Sequence, residues 1–484
     1  MTAFGSLVHW KLIPLYLALP FIILLVKHAV EAIYNLFFHP LRKYPGPRMW
    51  AASGLPRTIQ RTRGVEMWVR LEAHKKYGPV IRMAPNELSW IEPGVWKDVW
   101  AHRQGQEEFP KHEMDRIRHP NGRYGIFSAE RADHSRYRRL LSYAFSEKGM
   151  REQQPHILGY VDLLIKDLKE VAGEGPQDMV KWFNFTTFDI IGKLAFGQDF
   201  SCLTEKKMHP WIAMIFGNVK SIVLLGTIKR LGLEWVLPYI ASSDQLAARI
   251  YNHNFTSDMM TNRVARGTNQ HDFWDNVIAH IDKKTGMSFD EMVSNAANLV
   301  LAGSETTATL LSGCLHLLMT NPAALAKVTE EIRSAFTSDD QIDLFSTSQL
   351  PYTLAVLEET MRIYPPAPTQ TNRSVPAGGA LVQGQHLPAG TTIALSQYIA
   401  NHYPKYWTKP ESFIPERFLG AEEFKNDCFD VMQPFSVGPR NCIGRNLAYA
   451  EMRLILCRVL WNFDVDRVIR EGEKEWFDQK TYIL

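Results

Sequence analysis

The chain has 484 residues, a formal net charge of +3 and a hydrophobic content of 45%. So small a positive charge, without a basic-aromatic recognition stretch, argues against a nucleic-acid-binding protein. The five cysteines are few and widely spaced, which fits a reducing compartment better than a disulfide scaffold, and the lack of linkers or repeats beyond the N-terminal region favours one large domain.

The first predicted element is an apolar N-terminal helix. Residues 12–26 carry no charge, and extension back to Phe4, with Lys11 reaching toward the interface, gives roughly the twenty residues needed to cross a bilayer. The segment lacks a basic leader and a small-residue cleavage site, so a cleaved signal peptide is the less favoured alternative. We therefore expect residues 1–35 to form a membrane anchor.

A proline-rich stretch follows the predicted anchor. Residues 36–50 contain three prolines within eight positions, Pro40, Pro45 and Pro47, which predicts a stiff hinge. The basic residues after the apolar segment outnumber the single Lys11 before it; they are Lys27, Arg42, Lys43 and Arg48. The positive-inside rule then places the remaining domain, residues 51–484, in the cytosol.

Helical periodicity dominates the rest of the chain. Helices are predicted for residues 68–77, 133–145, 156–171, 289–319, 323–336 and 447–461. Strand patterns are short, and two hairpins are predicted, over residues 79–91 and 380–395. The apolar run of residues 211–240 is interpreted as a pair of core helices, although its basic residues also suit a membrane interface. The expected fold class is mainly α with a minor β-sheet region.

Basic residues share one face of the second predicted helix. His134 and Arg138 are four positions apart in the run of residues 133–139, so they are neighbours on the helix surface. A basic face is usually solvated. It is also a candidate for binding an anionic group, as is Arg373 in the extended segment after the proline-rich turn at residues 365–368.

The long helix over residues 289–319 carries a single acid in an apolar surrounding. The sequence Ala302-Gly303-Ser304-Glu305-Thr306-Thr307 follows an uncharged stretch. A core helix with Glu305 at its solvent-exposed edge is one explanation of the pattern. The alternative is functional, because a hydroxyl beside a carboxylate can pass protons through water.

An acid and two arginines are candidates for a buried ion network. Glu359 and Arg362 lie three positions apart on a helix that must end at Pro365. Alone, the pair is common and would be solvated. With Arg417 as a third member, we expect a buried Glu359–Arg362–Arg417 network that supports the fold and performs no chemistry.

The most specific motif is a cysteine in a glycine-bounded turn, over residues 435–444. Cys442 stands between Gly438 and Gly444 just before a helix, whose dipole and a neighbouring guanidinium are expected to lower the pKa of its thiol. A thiolate is a metal ligand, and Phe435 can shield one flank of the sulfur. The pattern arises by chance in roughly one chain in ten thousand, although a buried, inert cysteine remains the bland alternative.

These stretches together resemble the cytochromes P450, from the apolar N-terminus to the last helix. The resemblance implies a cytochrome P450-like fold preceded by a transmembrane helix, and a haem held by the thiolate of Cys442 as proximal ligand. It implies that the haem propionates are bound by His134, Arg138, Arg373 and Arg440, and that the loop around the ligand is shaped by Phe435, Gly438 and Gly444. The tryptophan that commonly precedes the arginine by four positions is replaced here by His134.

The resemblance also assigns the distal side. Glu305 and Thr306 would relay protons during the reduction of dioxygen, and Gly303 would open a groove over the haem. The substrate roof would include Pro366, Ala367, Pro368 and Thr369, and residues 211–240 would form a lid over the access channel. The implied activity is insertion of one oxygen atom from O2 into a lipophilic small molecule, by hydroxylation or epoxidation.

Partners follow from what the chain lacks. No glycine-rich dinucleotide motif follows a strand and no P-loop occurs, so electrons must come from a separate protein. The resemblance, with a membrane anchor, implies the NADPH-dependent flavin-containing reductase of the endoplasmic reticulum membrane. Arg136, Arg139 and Arg440 are candidates for its docking face.

Two alternatives remain open at this point. One is an oxygen-independent haem-thiolate isomerase or dehydratase, against which the Glu305-Thr306 pair argues. The other is a non-catalytic, membrane-anchored haem-binding protein. The sequence segments around the hinge and in the helix at residues 138–141 most resemble those of filamentous-fungal family members that modify terpenoids or polyketides. Three glycosylation sequons, at Asn184, Asn254 and Asn372, offer a test of the predicted orientation.

Overall fold

The fold is built mainly from α-helices, as predicted. A computed structural model describes residues 3–217, 219–236, 239, 243–469, 472 and 474–482. Within them the helices are α1 Ala3–Phe37, α2 Arg48–Ala52, α3 Leu55–Thr62, α4 Glu66–Tyr77, α5 Arg131–Leu141, α6 Glu147–Val171, α7 Met179–Phe196, α8 Pro210–Gly217, α9 Val219–Arg230, α10 Ser243–Ala265, α11 Asp275–Ile278, α12 Phe289–Thr320, α13 Pro322–Ala335, α14 Pro351–Ile363, α15 Gln397–His402 and α16 Arg445–Asn462.

The strands form one mixed sheet and one separate hairpin. They are β1 Val80–Ala84, β2 Glu87–Trp90, β3 Arg373–Ser374, β4 Ala380–Val382, β5 Gln385–Leu387 and β6 Thr392–Ala394. The sheet has the order β1-β2-β6-β3, in which β2 and β6 are parallel and Leu88 is opposite Ile393. The hairpin predicted over residues 79–91 is confirmed. The one over residues 380–395 is only partly right, because β4 and β5 pair while β6 joins the mixed sheet.

Most predicted helices agree with the structure within two residues, but α6 begins nine residues early. The predicted start at His156 follows a proline, yet the helix runs through Pro155 from its cap at Ser146. The Ser146 side chain accepts a hydrogen bond from the Gly149 amide, which satisfies one of the free N–H groups of the first turn. This local cap and the buried face of α6 outweigh the single bond lost at Pro155.

The described part of the N-terminal helix α1 extends away from the rest of the molecule. Its segment Ala18–Phe37 has a mean hydropathy of 1.5, and none of it is buried. An exposed apolar helix of this length is consistent with a membrane anchor. The side chains of residues 3–17, which include the first six of the fifteen residues of the predicted apolar span 12–26, lie outside the description.

Helix α12 runs through the centre of the molecule. Its start is fixed by a capping box in which the Ser288 amide donates to Glu291 and the Glu291 amide donates back to the Ser288 hydroxyl, at 2.9 and 3.4 Å. The helix packs against α7, α14 and α16 and buries apolar side chains over most of its length. Helices α7, α14 and α16, which surround the candidate site, are therefore all packed against α12.

The predicted ion network is confirmed as a fully buried cluster. Arg362 donates two hydrogen bonds to the Glu359 carboxylate, each 2.7 Å long, and Arg417 Nε lies 3.4 Å from the same carboxylate. Arg362 also donates to the carbonyls of Pro410 and Ser412. Sequence reasoning missed Asp427, which pairs closely with Arg417. The cluster therefore ties α14 to the chain that leads into the cysteine loop.

The apolar run of residues 211–240 forms α8 and α9 as far as it is described; residues 218, 237, 238 and 240 lie outside the description. Trp211, Ile212 and Val223 are buried, as expected of core helices. Beyond the end of α9 the apolar side chains turn outward, and Trp235 is 70% exposed. The interpretation as a plain core pair thus holds for only part of the run.

We expect Glu359→Gln to destabilise the protein by about 3–5 kcal/mol, because two buried guanidinium groups would lose their shared counter-charge. Thermal and denaturant unfolding of the detergent-solubilised protein measure the loss. Glu416→Gln is the matched control, since Glu416 pairs with Lys327 near the surface and should cost under about 1 kcal/mol. Equal effects of the two substitutions would contradict a structural role for the cluster.

Candidate functional site

The cysteine loop is held in shape by its own backbone. The Cys442 amide donates to the Phe435 carbonyl at 2.8 Å, and the Asn441 amide donates to the Gly438 carbonyl at 3.1 Å. Gly438 has a φ of +75°, and a Cβ there would lie 2.8 Å from the Ala101 Cα. The glycine is thus required by both conformation and close approach, as predicted. At Gly444 a Cβ would meet only ordinary contacts within the protein.

Cys442 presents open surface although protein surrounds most of it. The residue is exposed, yet burial raises the pKa of its thiol. The two observations agree if the sulfur lines an internal space. The Gly444 amide and the charges of Arg138 and Arg445 act in the predicted direction but do not outweigh burial. The prediction of a lowered pKa was therefore wrong for the protein alone, since the sequence does not reveal how deeply the loop is enclosed.

A second opening lies in the middle of α12. Leu301 is 38% exposed and Ala302 is also exposed, within a helix whose neighbouring turns are buried. The Thr306 hydroxyl donates to the Ala302 carbonyl at 2.7 Å, and burial raises the pKa of Glu305. This helix packs on α16, which begins three residues after Cys442. An alcohol and a poorly hydrated acid therefore stand beside an apolar opening.

Gly303 does not face that opening. A Cβ at Gly303 would lie 2.5 Å from Ile191 Cδ1, so the missing side chain allows α7 to pack closely against α12. The expectation that Gly303 opens a groove is wrong. The groove instead falls at Leu301 and Ala302, two positions and one position before Gly303. The motif alone does not specify how the helix is rotated about its axis.

Two predicted arginines meet around a single acid. Arg440 pairs closely with Glu108 and donates to the Ala129 carbonyl at 2.9 Å. Arg373 lies 3.6 Å from the same carboxylate and donates to the Phe109 carbonyl at 3.3 Å. The Nε of Arg373 is buried without a hydrogen-bond partner in the described part of the chain. Such a group is costly unless something else satisfies it.

Lys111 is a further member of this cation cluster, which sequence reasoning missed. Burial, together with the charges of Arg373 and Arg440, lowers the pKa of Lys111 to about 6. Burial and the charge of Arg440, with lesser contributions from other neighbours, lower the pKa of His134 to about 3. Lys111 stands in an irregular segment without a motif, and its isolated bridge to Arg373 places it here.

Arg138 contacts the cysteine loop directly. It donates to the Asn441 carbonyl at 2.6 Å and, closely, to the Asn441 side-chain oxygen. Its guanidinium is near enough to Cys442 for the two charges to interact. The structure thus brings His134, Arg138, Arg373 and Arg440 to one side of the loop.

Arg136, on the same helix as Arg138, is committed elsewhere. It donates to Glu291 at 2.7 and 3.0 Å and to Asp133 at 2.8 Å. Arg440 is also largely buried. The prediction that these two residues form a docking face is therefore wrong. Exposed cations on the two helices next to the loop are Arg131 and Arg139 of α5 and Arg445 of α16.

An aromatic cavity of about 70 Å³ lies between α12, α4, the proline-rich turn and the C-terminal segment. Its walls include Trp68, Tyr364, Tyr398 and Phe477, with Thr309 from α12. Of the four residues predicted for a substrate roof, Pro366 and Pro368 line the cavity, whereas Ala367 and Thr369 are not among its lining residues. The Tyr364 hydroxyl donates to Gln479 at 2.8 Å. The C-terminal contribution was missed because that segment has no periodicity.

A mainly helical fold with a small mixed sheet, and an enclosed cysteine loop beside clustered cations, define a thiolate-ligated haem protein as the class. The chain belongs to the cytochrome P450 family, whose family model matches residues 45–482. It is therefore a monooxygenase with a haem-thiolate cofactor, which uses O2, a lipophilic substrate and a redox partner.

Curated relatives agree with this assignment. The chain is 47% identical to an averantin hydroxylase of Dothistroma septosporum, over 95% of this chain and 88% of that protein. It is 46% identical to the cytochrome P450 monooxygenase stcF of Emericella nidulans, over 95% of both chains. A versicolorin B desaturase, stcL, from the same organism is 41% identical over 94% of this chain and 93% of that protein.

The charge pattern of the site fits a haem. Three guanidinium groups, of Arg138, Arg373 and Arg440, stand near the loop together with the weakly basic Lys111, and Glu108 is the carboxylate that Arg373 and Arg440 share. Two propionates would offset the surplus and could satisfy the unpartnered Arg373 Nε.

We expect haem affinity to rise as pH falls from about 9 to about 6, and Lys111→Met to flatten this dependence. Without haem the pKa of Lys111 is about 6. Nearby propionates would raise this pKa, so at a pH above about 6 haem binding is coupled to the uptake of a proton by Lys111. Transfer of haem to apomyoglobin, followed over this pH range, measures the effect. Lys97→Met, at an exposed position, is the control. An unchanged pH slope in Lys111→Met would contradict the assignment.

Proposed function

We propose that this protein hydroxylates a lipophilic small molecule of fungal secondary metabolism. The observation that carries the proposal is Cys442, which opens onto an internal space next to the surplus of buried cations. In the reaction, R–H, O2, two electrons and two protons give R–OH and H2O. Relatives named as a hydroxylase and a monooxygenase, 46–47% identical, favour hydroxylation over desaturation.

Three cations and a neutral histidine are proposed to hold the cofactor. His134, Arg138, Arg373 and Arg440 donate to the propionates, and the Cys442 thiolate is the metal ligand. Phe435, half-buried and 5.0 Å from the ring of Tyr449, and the two loop glycines keep the ligand loop in place. Bound haem supplies the iron at which dioxygen is activated.

Glu305 and Thr306 are proposed to deliver the protons. Burial raises the pKa of Glu305, which keeps more of the carboxyl protonated near neutral pH and able to give up a proton. The Thr306 hydroxyl, now bonded to the Ala302 carbonyl, is placed to accept that proton through water and pass it toward the opening. Neither residue needs to move far, because both lie on one turn of α12.

The aromatic cavity is proposed to be part of the substrate site. Flat ring faces from four aromatic side chains favour an aromatic or otherwise planar substrate. Thr309, one turn after Thr306, extends the wall from the catalytic pair to the cavity. The opening, the catalytic pair and the cavity wall follow one another along α12. This order suits a substrate that lies along the helix with its reacting carbon near the opening.

We infer that the protein is anchored in the endoplasmic reticulum membrane by residues 1–35, with a hinge at 36–50 and the catalytic domain, 51–484, in the cytosol. Exposed apolar side chains continue from α1 onto Met49, Leu55 and Ile59, and to Trp235 past α9, which packs on α3. This surface extends the membrane contact. A glycan on Asn254, which is exposed, would contradict the orientation; Asn372 is buried.

The electron donor is proposed to be the NADPH-dependent flavin-containing reductase of that membrane. Arg131, Arg139 and Arg445 are exposed near the cysteine loop and suit an acidic partner surface. Slower haem reduction after charge reversal at Arg139 or Arg445 supports this docking face, and unchanged rates contradict it.

We expect the reduced, carbon-monoxide-bound protein to show the strongly red-shifted Soret band of a thiolate-ligated haem, and Cys442→Ala to lose it. Difference spectra of the membrane fraction measure this. Cys428→Ala, at a half-buried cysteine, should keep the band. A folded, haem-loaded Cys442→Ala protein that keeps the band would overturn the ligand assignment.

We expect Thr306→Val to lower the yield of hydroxylated product per NADPH by about 10–100-fold and to divert O2 to hydrogen peroxide, because proton delivery contributes about that much or more. The ¹⁸O content of product made under ¹⁸O2 measures hydroxylation, and peroxide release measures the diverted O2. A desaturated, unlabelled product from the native enzyme would show that the reaction is desaturation and not hydroxylation. The matched control is Thr307→Val, at the buried neighbour. Full coupling in Thr306→Val would remove Thr306 from the relay.

A further inference from the structure

A cavity of about 540 Å³ lies between the loop of residues 118–122 and helix α10. A cavity of this volume is large enough to bind a small organic molecule. Neither the ion cluster that supports the fold nor the proposed oxidation chemistry uses the residues around it. Its walls are formed by Arg118, His119, Pro120, Gly122, Arg249 and Ile250.

The two arginines give the cavity a surplus of positive charge. Arg118 donates to a carbonyl of its own loop at 2.9 Å, and Arg249 donates to the Arg118 carbonyl at 3.0 Å. Neither guanidinium forms an ion pair with a carboxylate in the part of the chain that the structure describes. The nearby acids Glu113 and Glu130 both pair with Arg116 instead. Most N–H groups of the two lining guanidinium groups are therefore open to an anion.

His119 adds a polar group to the same wall. Burial lowers the pKa of its imidazole, so the ring is uncharged at neutral pH. Asn298 of α12 lies close to this ring, but no hydrogen bond of ordinary length reaches the buried His119 Nε2 from any described residue. A neutral imidazole can carry its N–H at this atom, and a buried N–H without an acceptor is costly. An anionic ligand in the cavity would supply that acceptor.

The loop that carries Arg118 and His119 is fixed to α12. The Ile126 amide donates to the Asn295 side chain at 2.7 Å. A Cβ at Gly125 would lie 2.8 Å from the Ser294 carbonyl oxygen, so the glycine lets the loop and the helix approach closely. The wall of the cavity is therefore held against the turns of α12 that precede its opening.

Asn298 lies on the same face of α12 as the proposed reaction site. Leu301, Ala302 and Glu305 follow it by three, four and seven positions, which is the spacing of one helix face. Seven residues of α-helix rise by about 10 Å. A ligand of about that length, with one end in the cavity, would reach the opening and the acid–alcohol pair.

We propose that the cavity between Arg118, His119 and Arg249 binds an acidic oxygen substituent of the substrate and thereby holds the carbon to be oxidised about 10 Å away. The two arginines donate to the anion, and the imidazole donates a further N–H. The substrate class is then a planar, lipophilic acid that lies along α12. The inference rests on the proposed hydroxylase function, because that function defines the reacting end of the substrate.

The test compares anthracene-2-carboxylate with anthracene-2-carboxamide, two planar probes of similar size that differ in charge. Equilibrium dialysis against the full-length, haem-loaded protein in detergent gives their affinities, and a shift of the Soret band shows that a probe has reached the iron. We expect the carboxylate to bind about tenfold more tightly than the amide and to shift the band. Salt should weaken the binding of the carboxylate alone.

Three variants assign the effect to the cavity. Arg118→Gln and Arg249→Gln should each weaken binding of the carboxylate about tenfold and leave the amide unchanged. Arg249→Lys keeps the charge and should retain most of the affinity. The matched control is Arg123→Gln, at an exposed arginine of the same loop that is not among the lining residues, and it should bind both probes as the native protein does.

The failures of the two proposals are distinguishable. Equal affinities of the native protein for both probes would overturn the acid site, as would an equal loss of carboxylate binding in Arg123→Gln. Tight binding of the carboxylate without a Soret shift would overturn its role in placing the substrate. Absence of the red-shifted carbon-monoxide band from the native, haem-supplied protein would instead overturn the proposed function.

Discussion

The concentration of positive charge around one cysteine loop is the constraint on which the rest of this structure depends. Arg138, Arg373, Arg440 and Lys111 are brought together at a place where burial already disfavours charge, and Lys111 responds with a pKa of about 6. A protein rarely accumulates buried cations that it cannot pair. The surplus has a purpose once a cofactor with two carboxylates is bound, and it explains why four separate segments converge here.

Holding those segments together requires rigid supports that take no part in the chemistry. The Glu359–Arg362–Arg417–Asp427 cluster ties α14 to the chain before the cysteine loop, and the capping box at Ser288 fixes where α12 begins. Gly303 lets α7 approach α12 closely, which leaves Leu301 and Ala302 as the open positions. In the ion cluster and the capping box, buried polar groups bind several partners at once, which fixes the segments that carry them.

The surface that runs from α1 across α3 to the segment after α9 is held together differently. Exposed apolar side chains run from α1 across α3 to the segment after α9, and the ion pairs beneath them become less buried toward α9. These outer ion pairs therefore restrain their segments less than the fully buried Glu359–Arg362–Arg417–Asp427 cluster does.

The sequence by itself determined the family, the cysteine loop, the central helix and the buried Glu359–Arg362–Arg417 cluster, because each depends on local spacing or on a rare combination of residues. Tertiary structure decided the rest. Lys111, Asp427 and the C-terminal wall of the cavity carry no local pattern and meet the site only through long-range contacts. Gly303 and Arg136 carry the right pattern but face α7 and Glu291, since the rotation of a helix is fixed by what packs against it. The raised pKa of Cys442 has the same origin, because enclosure by distant segments sets the solvation of a thiol.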